Sequence, residues 1–143
     1  RKAICCFYLK VEMRIIKSHK KLIPITEIAI GIREWEKKHL PIEQSTLALD
    51  LFLLISYNTL IGSPLTLKTL FHSMDFSEAG VRKHLRRLIS EEWCSLIGNE
   101  RDRRLRHVIA HPKMLQALNA YSKVLTNAYK KSHKRINSEK SED

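Results

Sequence analysis

The sequence has 143 residues, 43% apolar and 29% charged, which excludes a wholly disordered chain, a collagen-like repeat and a disulfide scaffold and leaves room for one self-sufficient core. Only 4 Gly and 4 Pro occur, too few for an all-β sandwich or Gly-rich phosphate loops. Lys and Arg outnumber Asp and Glu 26 to 15, and a net charge of +11 points to a polyanionic partner, most often nucleic acid.

In chain order, Ile4, Tyr8, Val11 and Ile15 predict a first helix over 3–20. Pro24 breaks it, and Thr26 is placed to cap a second helix carrying Ile25, Ile28, Ile32 and Trp35, which ends at Leu40-Pro41. Residues 43–61 predict a third helix, apolar nearly all round from Leu47 to Ile55 and therefore buried on several sides; Gly62-Ser63-Pro64 closes it, with Gly62 in the left-handed position. Thr66 caps a short helix with Leu67, Leu70, Phe71 and Met74 inward. After a turn at Asp75-Phe76, Ser77 caps the next helix, which runs to about Glu91. Val81, Leu85, Leu88 and Ile89 form its apolar stripe, and Arg82, Lys83, Arg86 and Arg87 its opposite face. Trp93–Ile97 and Leu105–Ala110 are β-prone runs around a charged loop. Pro112 opens a last helix with a near-heptad stripe of Met114, Leu118, Tyr121, Leu125 and Ala128 or Tyr129, and the polar stretch from Lys130 reads as a fraying tail.

The basic groups lie on either side of an acidic middle. Residues 1–40 carry 10 basic and 4 acidic groups, residues 41–76 carry 1 and 3, and residues 77–106 carry 8 and 5. Two short helices, the second basic on its free face, make a helix-turn-helix, and the charged hairpin after it makes a wing. Such a second helix fits the major groove, about 12 Å wide. Glu78, Ala79, Arg82, Lys83 and Arg86 then face base edges, Thr66 and Ser77 at the two helix starts also contact the DNA, and Arg101, Arg103 and Arg104 reach phosphates or the minor groove.

Leu40-Pro41-Ile42-Glu43-Gln44, the run Pro64 to Leu70, the stretch SEAGVRKHLRRL from Ser77 to Leu88, Asp102-Arg103-Arg104 in the wing and His111-Pro112-Lys113 after it together resemble the MarR-type winged-helix regulators over roughly residues 40–125. Two departures stand out: Ala110-His111 where that family usually has Leu-Thr, and Glu92-Trp93 where Gly is common. The resemblance implies a mainly α fold with a small β-hairpin wing, in which Arg104 reaches the minor groove and Asp102 braces the loop. It also implies a bacterial or archaeal cytoplasmic regulator that binds double-stranded DNA as a homodimer through its terminal helices and answers to a small-molecule effector. The expected layout is an N-terminal helical dimerisation arm (1–42), a winged helix-turn-helix domain (43–111), a dimerisation helix (112–130) and a disordered tail (131–143).

The alternative is a winged-helix adaptor that docks an acidic protein surface and leaves DNA alone. An enzyme finds little support, since no P-loop, G-x-G-x-x-G, H-E-x-x-H, G-x-S-x-G or C-x-x-C is present. No cofactor or metal is expected: Cys5, Cys6 and Cys94 lack metal spacing and read as free thiols of a reducing compartment, and His107 and His111 lie on a strand. Trp35 and Trp93 read as core or interface aromatics. No apolar run is long enough for a membrane span, and Lys10, Glu12, Arg14 and Lys17 follow the start too closely for a signal peptide.

Overall fold

The computed structural model describes residues 22–43, 45–98 and 105–139, the last five of these as backbone. The predicted helix over 3–20, Cys5, Cys6 and the wing residues Arg101, Asp102, Arg103 and Arg104 lie outside the described residues. The elements are α1 (Ile23–His39), α2 (Thr46–Leu60), α3 (Leu67–His72), α4 (Glu78–Ser90), β1 (Cys94–Gly98), β2 (Arg106–Ala110) and α5 (Pro112–Glu139). They fall into two compact units, residues 35–124 and residues 1–34 with 125–143.

Residues 35–124 hold the core. Leu49, Leu51, Phe52 and Ile55 of α2, Leu70 of α3, Val81, Leu85 and Leu88 of α4, Val108 of β2 and Met114 of α5 are all buried. Three hydroxyl caps set where the helices begin. Ser45 Oγ accepts from Ala48 N at 3.4 Å, Thr66 Oγ1 from Thr69 N at 3.1 Å and Ser77 Oγ from Gly80 N at 3.2 Å, each satisfying an amide with no partner inside its helix. The first of these caps starts α2 at Thr46 rather than at the predicted 43, because Glu43 sits in a left-handed turn (φ 41°) that no helix can include. α2 ends as expected on Gly62 (φ 71°): Gly62 N donates to Thr59 O and Ser63 N to Asn58 O, the paired bonds of a Schellman cap.

The same closure ends α4, but a glutamate occupies the left-handed position. Glu92 (φ 59°) donates from its amide to Ile89 O, and Trp93 N donates to Leu88 O at 2.8 Å. The next turn of chain is pinned around it. His111 N donates to Trp93 O, Lys113 Nζ donates to Glu91 O at 3.1 Å, and the ammonium lies 4.1 Å over the Trp93 ring. A left-handed L-residue costs about 1–2 kcal/mol, part of which glycine would recover. Glu92→Gly is therefore expected to stabilise the fold by about 0.5–1 kcal/mol, seen as a higher urea midpoint at unchanged slope; an unchanged midpoint would show that the turn carries no such strain.

β1 and β2 pair antiparallel, Cys94 with Ala110, Leu96 with Val108 and Gly98 with Arg106. Cys94, Val108 and Ala110 turn to the core, while Ile97 faces out. The hairpin also takes an isolated bridge that the sequence pattern does not announce: Val108 N donates to Leu65 O at 2.9 Å, and Thr66 bridges His107. At the start of this unit, Trp35 stacks against His39 (4.4 Å between centroids) and Tyr121 (5.9 Å), and the Tyr121 hydroxyl donates to the buried Glu36 carboxylate.

In the other unit, Pro24 stands in the first turn of α1, where its missing amide costs nothing. Thr26 is therefore inside the helix and is not its cap; its hydroxyl donates to Leu22 O at 2.9 Å. α5 continues to Glu139, past the expected end at 130, since residues 113–139 contain no Gly or Pro to stop it. Its apolar stripe is buried at Met114 and Tyr121 but exposed at Leu125 and Tyr129, and in α1 Ile23, Ile25 and Ile30 are also exposed.

Candidate nucleic-acid interface

α3, the turn over residues 73–77 and α4 form a helix-turn-helix within the 35–124 unit. α4 divides by face: Val81, Leu85 and Leu88 are buried, whereas Glu78, Ala79, Arg82, Lys83 and Arg86 are exposed. Gly80 lets the start of α4 come close to α2, since a Cβ there would stand 3.3 Å from the Leu47 methyl and 3.1 Å from Ser77 Oγ. Arg82 is held in place while its face remains open. Its guanidinium pairs with the Glu78 carboxylate one turn earlier and lies 4.7 Å over the Phe71 ring of α3. Thr66 is half-buried, its hydroxyl also 2.9 Å from Thr69 Oγ1, while Ser77 is exposed.

Arg87, expected on the free face, is turned inward. Its side chain is 18% exposed; the guanidinium donates to Pro41 O, pairs with Glu43 and lies 3.8 Å from Glu91. It fastens the chain before α2 to α4 and is not available to a ligand. Lys68 and Arg106, which the sequence pattern alone does not single out, are exposed on α3 and on β2. Lys68 shares an open cleft with Phe71, Glu78 and Arg82. A signal for it exists, since it is the lone Lys or Arg among residues 41–76.

No family model matches the sequence, and no curated protein matches it. Solved structures do match the fold. The S. aureus MepR–DNA complex superposes with a TM-score of 0.68 at 10% identity, covering 85% of this chain and 87% of that one. The transcriptional regulator Tm0710 from Thermotoga maritima gives 0.57 at 18% identity over 82% and 81%. A mutant of MarR from E. coli gives 0.54 at 14% identity over 77% and 79%. The fold is the MarR-type winged helix.

In this winged helix, α3 and α4 are the helix-turn-helix and β1–β2 the base of the wing. Arg101, Asp102, Arg103 and Arg104 fall in the sequence between Gly98, the last residue of β1, and Leu105, which precedes β2. Cys94 opens the wing on its inner side. It is 1% exposed, and burial pushes its thiol from 9.0 up to about 12, so it is neutral and shielded. Glu91 and Glu92, expected as surface acids, are exposed. Trp93 and Trp35 are half-buried. Among the described residues, no three His, Cys, Asp or Glu gather as a metal ion would need, and no helix is long and apolar enough to cross a membrane.

Proposed function

We propose that this protein is a transcription regulator that reads duplex DNA as a homodimer, with α4 in the major groove and the wing against phosphates or the minor groove. One observation carries the reading: Arg82, Lys83 and Arg86 project from a helix whose other face is locked into the core and which leads directly into the β1–β2 hairpin. Such a helix presents cations to a groove without surrendering any buried contact. Support comes from MepR, whose superposable structure was solved with DNA. In this reading Thr66 and Ser77 donate to phosphates, Ala79 meets a thymine methyl, Arg101 and Arg103 neutralise backbone, and Arg104 enters the minor groove with Asp102 bracing it.

Dimerisation through the N-terminal arm and α5 draws support from the exposed Ile23, Ile25 and Ile30 of α1 and the exposed Leu125 and Tyr129 of α5. Light scattering at micromolar concentration is expected to give twice the chain mass; a monomer would reject the assembly. A small-molecule effector belongs to the same reading, supported by the similar fold of PefR from Streptococcus agalactiae, solved in complex with heme. A cytoplasmic setting in a bacterium or archaeon completes it.

The test is selection of bound duplexes from a random pool, followed by anisotropy titration of the selected site at two salt concentrations. Specific binding that weakens steeply with salt is expected. No binding to any duplex at low salt, together with capture of a stable protein partner, would favour an adaptor instead.

A further inference from the structure

We propose that Glu78 is a specificity-determining residue: with Arg82 it forms one paired reader that selects a C·G base pair and rejects duplexes lacking it. This rests on α4 being the DNA-reading helix. Glu78 is the one acid in α4, and it stands exposed at the leading end of the face that carries Arg82, Lys83 and Arg86. The hydroxyl cap of the helix is Ser77 Oγ, which takes the Gly80 amide, so Glu78 is not the cap, although its carboxylate in the first turn suits the positive helix end.

A carboxylate there opposes every phosphate it approaches, and duplex DNA carries one charge per about 1.7 Å of axis. The opposition is relieved where the groove offers a donor, and cytosine N4 is the donor that a carboxylate accepts from best. Arg82 lies one turn on, paired with that same carboxylate and lying 4.7 Å over the Phe71 ring, so both groups face the groove together. A guanidinium so placed donates to guanine O6 and N7. A single C·G pair therefore presents the donor for Glu78 and the acceptors for Arg82 side by side. An unpaired guanidinium would settle on any phosphate; the pair suppresses this and exchanges its internal contact for base contacts where both bases are present.

The test is selection from a random duplex pool by the full-length protein and by its Glu78→Ala and Glu78→Gln variants, followed by titration on the selected site and on an unrelated duplex. The wild type is expected to enrich C·G at one fixed place in each half-site and to lose about tenfold in affinity when that pair is changed. Glu78→Ala is expected to lose that preference and to bind the unrelated duplex about fivefold more tightly at low salt, its salt slope steeper by about one. Glu78→Gln is expected to move the preference from cytosine to adenine, whose N6 and N7 suit a carboxamide. The shift in Glu78→Gln is read from sequence alone, so it stands even if the alanine variant folds poorly. The same base chosen by all three proteins, or unrelated duplex bound no better by Glu78→Ala, would overturn the proposal while leaving the regulator intact. A wild type that binds no duplex at all would overturn both.

Discussion

Replacing Arg82 and Arg86 together by Ala is expected to lower affinity for the selected duplex by about a hundredfold. Both side chains are exposed and spread along one face of α4, so their removal takes away cations without opening the core. Within the protein Arg82 makes an exposed ion pair with Glu78 and lies over the Phe71 ring, and interactions of both kinds are worth little in water. The thermal midpoint is therefore expected to hold while binding falls. The check is an anisotropy titration at two salt concentrations beside a melting curve. Unchanged affinity in the double variant would remove α4 from the interface.

Leu88→Ala is expected to do the reverse, destabilising the protein by about 2–5 kcal/mol out of a total near 5–15 kcal/mol. Leu88 is wholly buried on the inner face of α4, and its carbonyl takes the Trp93 amide that closes the helix. Truncation leaves a cavity behind the reading face and loosens the turn into the hairpin. Urea unfolding followed by circular dichroism measures the loss. DNA affinity measured well below the new midpoint is expected to recover, which separates a weakened scaffold from a damaged reading face. A cost below about 0.5 kcal/mol would mean that this part of the core is not close-packed.

Much of the site is legible in the sequence because it is written in local chemistry. Thr66 and Ser77 announce two helix starts with single hydroxyls, Gly62 announces a left-handed stop, and the spacing of Val81, Leu85 and Leu88 fixes which side of α4 is buried. What escapes depends on partners distant in sequence. Arg87 follows Arg82 by five positions, about 140° round a helix, and its inward turn is decided by Pro41 and Glu43 more than forty residues earlier. The bridge at Leu65–Thr66 is too short to show alternation and exists through its bonds to His107 and Val108. The extension of α5 escapes for a different reason: all but one of its residues after 130 (Ile136) are polar, and polarity suggests a stop where no Gly or Pro enforces one. Thr26 imitates a cap because Pro24 is as suited to opening a helix as to ending one.

Thr66 holds two offices at once, as the first hydroxyl of α3 and as the residue that joins the hairpin at His107. Its neighbours in sequence and in space are thereby geared together, so that tilting the hairpin drags the front of α3 with it. Natural relatives that share this arrangement should tolerate almost any chemistry at Ser63 or Pro64 yet keep the count of residues from Leu65 to Ser77 constant, because one insertion there would throw both gears out of mesh.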